Sequence, residues 1–203
     1  MERKELESCV VSSIQRGLLG KPDLVLVKQG DQPLIVKDVK KKNFFYRWTL
    51  GLWMIHWEWK IYCRLNGIRG IPRSVNRVDR FAFAIEFIPG QPIHREAVLP
   101  PHFFAELERI LKEVHARGVV HLDLRHKGNI LISETGDPVL IDFNSSLCLK
   151  NGLLLRFLFP VLRWVDRGGL LKLKQRVAPS SMTAGELESL KRINRLRKLW
   201  IFN

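Results

Sequence analysis

His121-Leu-Asp123-Leu-Arg-His-Lys-Gly-Asn129-Ile-Leu-Ile132, followed after a turn by Leu140-Ile-Asp142-Phe143-Asn144, is the most informative stretch of this 203-residue chain. Asp123 lies in the first of three short apolar segments, residues 119–124, 129–133 and 138–143, and the last two straddle Glu134-Thr-Gly-Asp137, a favourable hairpin turn. Asn129 follows Asp123 by six residues, and Asp142 lies thirteen beyond that. An acid on a loop, an Asn and a second acid are what phosphoryl transfer to a hydroxyl requires. One carboxylate orients the acceptor hydroxyl and takes its proton, while the Asn and the other carboxylate offer hard oxygen ligands to Mg²⁺ against nucleotide phosphates. The competing reading is structural: buried Asp and Asn side chains that satisfy the backbone of turns.

Upstream, residues 101–117 form an amphipathic helix with Phe103, Phe104, Leu107, Ile110, Leu111 and Val114 on one face and Gly118 at its end. Residues 24–27 and 34–39 are β-type runs around Gln29-Gly-Asp-Gln-Pro33, a hairpin pattern. Residues 44–65, crowded with Trp48, Trp53, Trp57 and Trp59, have the length and spacing of a helix packed on a sheet, with Asn66-Gly67 as its stop. Residues 81–88 read as another strand, closed by Pro89-Gly90. After residue 143 the chain turns helical and basic, and Thr183-Ala-Gly-Glu186 has the form of a capping box opening a last helix with Leu187, Leu190, Ile193 and Leu196 inward. Strands with one helix, then helices around a small hairpin, make a two-lobed α+β plan joined near residues 89–92, with lobes at 1–90 and 91–203.

These motifs resemble those of the protein-kinase-like superfamily, whose catalytic loop is written H-R-D-L-x-x-x-N and whose metal motif is D-F-G. His121 and Asp123 match the catalytic loop, Asn129 its metal ligand, and Asp142-Phe143 the metal motif. The Asp-to-Asn gap is one residue longer than in the motif, Leu122 stands where Arg is common, and Asn144 where Gly is common. Leu34-Ile-Val-Lys37-Asp-Val resembles the strand whose Lys contacts the α- and β-phosphates, and Glu58, the only acid between Asp38 and Asp79, lies on the following helix where the family places the carboxylate that holds that Lys. Taken alone, a Lys on an apolar strand is an ordinary edge or surface residue. Gly17-Leu-Leu-Gly20 stands where the phosphate-covering loop belongs, although a helix C-cap explains it equally well, and Glu86-Phe-Ile-Pro-Gly90 resembles the interlobe hinge whose backbone meets adenine.

The resemblance spans residues 14–145 and is closest to small bacterial kinases related to RIO-type Ser/Thr kinases and lipopolysaccharide sugar kinases. It implies a β-rich first lobe and a shortened helical second lobe, since 61 residues follow Asp142 and no A-P-E motif is present. It also implies an ATP- and Mg²⁺-dependent kinase with Asp123, Lys37 and Glu58 as its catalytic set, Asn129 and Asp142 on the metal, and Gly17, Gly20, Lys37 and Glu86 on the nucleotide. Lys37, Glu58, Asp123 and Asp142 are then expected to converge on one triphosphate. A protein Ser/Thr hydroxyl is the preferred acceptor, and a sugar hydroxyl on an anionic glycolipid is the alternative. A pseudokinase that binds nucleotide or a partner without turnover is the rival from another class.

The composition, 46% hydrophobic and 27% charged, excludes wholesale disorder. The formal charge is +14, and residues 150–203 carry twelve basic residues against three acids, a field that attracts polyanions. Leu, Phe and Trp interleave with Arg156, Arg163, Arg167, Lys172, Lys174 and Arg176, which reads either as a patch for an anionic membrane surface or as a core helix with solvated charges. Nucleic acid is a third candidate for the basic tail, but no recognition motif accompanies it. No run reaches the roughly 18 apolar residues of a membrane span, and the charged N-terminus argues against a secretory signal. Cys9, Cys63 and Cys148 have neither pairing nor zinc spacing, which with the rest points to a cytoplasmic chain, peripheral contact with the inner membrane face left open. His56, His94, His102 and His126 stand alone; His126, inside the catalytic loop, is the one placed to touch substrate.

Overall fold

Period-two alternation of apolar residues dominates the first half of the chain, and 3.6-residue periodicity the second, and the fold follows that division. The computed structural model describes residues 2–17, 20–148 and 153–199. It is an α+β protein that divides into two compact units, Met1–Pro89 and Gly90–Asn203.

The first unit runs α1 (Arg3–Ser8), β1 (Val10–Gln15), β2 (Asp23–Gln29), β3 (Gln32–Asp38), α2 (Phe44–Tyr46), a π turn (Arg47–Gly51), α3 (Leu52–Leu65), β4 (Ser74–Asp79) and β5 (Ala82–Glu86). The strands form one antiparallel sheet in the order β1-β2-β3-β5-β4, so β3 is central. Alternation sorts β3 and β5 onto two faces. Leu34, Val36, Ala82 and Ala84 join Val27 beneath Leu6 of α1. On the other face Phe83 packs against Trp59 and Tyr62 of α3, with ring centroids 5.7 and 6.0 Å apart. Arg3 pairs with Asp38 and Asp79, fastening α1 to the ends of β3 and β4. Neither α1 nor β1, which is exposed along its length, is marked by a strong apolar pattern in the sequence.

The second unit comprises β6 (Gly90–Pro92), α4 (Phe103–Ala116), β7 (Val119–Val120), a 3-10 turn (Lys127–Asn129), β8 (Ile130–Ser133), β9 (Pro138–Leu140), β10 (Leu147–Cys148), α5 (Leu153–Val177), a second 3-10 turn (Pro179–Ser181) and α6 (Ala184–Leu199). All six apolar residues expected on one face of α4 are buried. Strands β6, β8 and β9 form a small antiparallel sheet, and β7 pairs with β10. Helix α5 comes close to its neighbours at Gly168-Gly169. A Cβ at Gly168 would meet Ile193 at 3.1 Å, and one at Gly169 would meet Leu124 Cβ at 3.2 Å.

The capping box forms reciprocally: Glu186 N–H donates to Thr183 Oγ1 at 3.2 Å, and Thr183 N–H donates to the Glu186 carboxylate at 2.7 Å. Leu190 and Ile193 are buried as expected, whereas Leu187, in the first turn beside the cap, is exposed. Leu196 lies outside the described side chains. The later part of α5 is a core helix, burying Leu170, Leu171, Leu173 and Val177, while Phe157, Leu158, Val161 and Val165 are exposed. Among the described residues no helix is long and apolar enough to cross a membrane.

Candidate active site

In the first unit, the register that sets Lys37 opposite Phe83 puts Lys37 on the α3 face of the sheet. Glu58 lies one helical turn before Tyr62, which packs on Phe83. Lys37 Nζ donates to Glu58 Oε1 at 2.5 Å, with the lysine side chain 8% exposed and the carboxylate fully enclosed. Such a pair persists because desolvating either charge alone costs several kcal/mol. The two glycines are engaged by the protein itself. Gly17 N–H donates to Asp23 Oδ1 at 2.9 Å, Lys42 Nζ donates to the Gly17 carbonyl oxygen and to Asp23 at 2.6 Å each, and Tyr46 Oη–H donates to the Gly20 carbonyl oxygen at 2.8 Å. Leu18 and Leu19 between them lie outside the described residues. Glu86 holds Arg73, accepting from its backbone N–H at 3.2 Å and its Nε at 3.1 Å, and Phe87 N–H donates to the Pro33 carbonyl oxygen at 3.2 Å.

In the second unit, Asn129 Nδ2 donates to both the carboxylate and the carbonyl oxygen of Asp123, at 3.0 Å each. The extra residue in the Asp-to-Asn gap is taken up by the 3-10 turn, in which Asn129 N–H donates to the His126 carbonyl oxygen at 3.1 Å. Gly128 lies under the His126 ring, where a Cβ would come within 2.9 Å of it and the exposed ring would have to turn aside. His126 is otherwise exposed. The β8–β9 register places Ile130 opposite Leu140, and Ile141 N–H donates to the Asn129 carbonyl oxygen at 2.9 Å, so Asp142 is the residue next after the one bonded to Asn129. Asn144 Nδ2 donates to Asp142 Oδ1 at 2.7 Å, a restraint on the carboxylate that glycine could not supply.

The backbone at this site is unusual. Leu122 and Asp142 are the non-glycine residues with positive φ among those described, at 67° and 62°. Each ends an apolar segment early: β7 stops at Val120 and β9 at Leu140, short of the expected 124 and 143. A left-handed Leu costs about 1–2 kcal/mol, so something must hold it. That something is Asp166 of α5, which enters no sequence motif. Its fully buried carboxylate accepts from the backbone N–H groups of His121 at 2.8 Å and Leu122 at 2.6 Å, and from His115 Nε2 at 2.9 Å. Glycines two and three residues along α5 bring the helix close enough for this contact. The signal available in the sequence was an acid beside Gly168-Gly169 in an otherwise apolar and basic stretch.

His121 is enclosed and packs on Phe143 with centroids 4.9 Å apart. Its Nε2–H donates to the Ile141 carbonyl oxygen at 3.1 Å, while Nδ1 accepts from Asp123 N–H at 3.3 Å. One nitrogen donating and one accepting is the pattern of a neutral imidazole. Burial pushes its pKa below the ordinary histidine value, outweighing the opposing pull of Asp166, the Ile141 carbonyl, Asp142 and Asp123.

Asn129 makes its hydrogen bonds through the amide nitrogen, which leaves the amide oxygen to offer to a cation. With the Asp142 carboxylate this makes a hard, two-residue oxygen set of the kind Mg²⁺ accepts when phosphate and water complete its shell. Among the described residues no group of three or more His, Cys, Asp and Glu is arranged to hold a metal ion by protein ligands alone. No protein-family model and no curated protein matches the chain.

Proposed function

We propose that this protein is an ATP- and Mg²⁺-dependent kinase of two-lobed, protein-kinase-like architecture, transferring the γ-phosphate to a hydroxyl. The observation that carries the reading is the Asp123–Asn129 hydrogen bond beside Asp142, because it joins a proton acceptor and two metal-type oxygen donors through a register that the motif spacing requires. Asp123 orients the acceptor hydroxyl and takes its proton. Asn129 and Asp142 hold Mg²⁺, and Lys37, restrained by Glu58, holds nucleotide phosphate. Bound Mg²⁺ supplies charge neutralisation on the phosphates, and what remains for the protein is positioning and electrostatic stabilisation. The resemblance favours a protein Ser/Thr acceptor, and the basic tail keeps a glycolipid sugar hydroxyl as the alternative.

A second reading has its own support. With the Gly17 N–H given to Asp23 and its carbonyl to Lys42, that glycine is not free to approach phosphate, as a pseudokinase would permit. Incubation with labelled ATP and protein or glycolipid acceptors separates the two. Turnover that needs Mg²⁺ and disappears in both Asp123→Ala and Asp142→Ala supports the kinase. Nucleotide binding indifferent to Mg²⁺, without ADP release, supports the pseudokinase.

A further inference from the structure

Residues 39–57 contain Lys40, Lys41, Lys42 and Arg47 and no acid, and they carry the most aromatic surface of the first unit. Phe45 is 78% exposed, Phe44 61%, Trp53 57% and Leu50 51%. In a helix seated on a sheet these side chains would be expected inside. They stay outside because α3 turns Ile55, Glu58, Ile61, Tyr62 and Leu65 inward; in the π turn before it Gly51 lies against Tyr46, where a Cβ would meet the ring at 3.0 Å. The exposed rings fall into two packed groups along the segment. Phe44 packs edge-on to Phe45 at 5.8 Å and beside Trp48 at 6.3 Å, and Trp53 stacks on Trp57 at 6.0 Å. Cations are threaded through it: Arg47 lies over Phe44 at 5.8 Å and Arg80 over Trp48 at 5.5 Å, with Lys40 and Lys41 exposed beside them.

We infer that this face, spanning residues 40–53 at the start of the α2–α3 segment, docks on an anionic lipid surface. Two features select that occupant. Trp and Phe carry apolar rings that settle at the headgroup boundary, and Lys40, Lys41, Arg47 and Arg80 around them complement lipid phosphate, the neighbouring Asp23 and Asp38 being paired with Lys42 and Arg3. A protein partner of comparable apolar content would bring no need for a border of exposed cations, and a second copy of this chain would set like charges against one another. The inference does not depend on the phosphotransfer reading.

The test is co-sedimentation of the full chain with vesicles of phosphatidylcholine alone and of phosphatidylcholine mixed with phosphatidylglycerol, at low and high salt. Binding to the mixed vesicles only, weakened by salt, is expected. Lys40→Ala with Lys41→Ala should lower the partition coefficient about 25-fold, at roughly fivefold per cation. Phe45→Ser with Trp53→Ser should lower it at least about tenfold, while Phe157→Ser with Leu158→Ser on α5 leaves it within about threefold. All six altered side chains are exposed, and a thermal melt matching wild type identifies the folded variants. Failure of wild type to bind anionic vesicles overturns the inference. So does equal binding by both 40–53 variants, or a dimer dissolved by Phe45→Ser with Trp53→Ser in the absence of vesicle binding.

Discussion

Asp166→Ala tests most directly how the catalytic-loop backbone is held. The substitution removes the acceptor of two buried N–H groups, those of His121 and Leu122, and the partner of His115. Leaving a buried donor without an acceptor costs about 1–3 kcal/mol for each group. Leu122, at φ 67°, then loses the restraint that keeps it left-handed, so part of the loss is relieved as the loop relaxes. A net destabilisation of about 3–5 kcal/mol follows. With a urea m-value of about 2 kcal/mol/M, the midpoint should fall by roughly 2 M. Asp166→Asn retains the size and one acceptor oxygen but turns an amide N–H toward other donors, and should lose about half as much. Hydrogen exchange localises the effect: the amides of His121 and Leu122, bonded to Asp166, should be protected in wild type and exchange fast in Asp166→Ala while those of β2 and β3 stay slow. A midpoint within about 0.5 M of wild type, or unchanged protection of those two amides, refutes the reasoning.

Two further outcomes follow from the buried charges. Lys37→Met strands the enclosed Glu58 carboxylate and should destabilise the protein by about 3–5 kcal/mol, whereas Lys37→Met with Glu58→Gln should recover more than about 1 kcal/mol of that; simple additivity in urea unfolding would show that the two side chains do not act as a pair. His121 has its folded pKa lowered by burial, so the unfolded chain binds its proton first. Stability should therefore be full above the ordinary histidine value of about 6.5 and decline as pH falls below it. Thermal melts from neutral to mildly acidic pH should show that decline, and His121→Phe should flatten this part of the profile; an unchanged slope in the variant assigns the loss to other groups.

Much of the fold can be read from local patterns. The β2–β3 hairpin, the strand at β5, the amphipathic face of α4 and the Thr183–Glu186 cap are all set by side chains within a few residues of one another, and each is present. The ends of β7 and β9 were read too long because Val119-Val120-His121-Leu122 and Leu140-Ile141-Asp142 are apolar enough to continue, and nothing nearby says that Leu122 and Asp142 turn left-handed. Helix α1 and strand β1 escaped notice for a similar reason. Arg3 finds its partners Asp38 and Asp79 dozens of residues away, and β1 is exposed along its length, so neither shows a strong apolar rhythm.

The candidate site divides along the same line. Chemical type and spacing along the chain, which are one-dimensional information, pointed to Asp123, Asn129 and Asp142, and the resemblance of their segments to the kinase-like pattern added Lys37 and Glu58. Only the folded protein decided that Lys37 and Glu58 meet in a dry contact, that a 3-10 turn brings Asn129 to Asp123 across a longer gap, that Gly17 bonds within the protein, and that Asp166 holds the loop. Those outcomes depend on which face a strand presents and how closely a helix can approach, and both are set by packing between segments far apart in sequence.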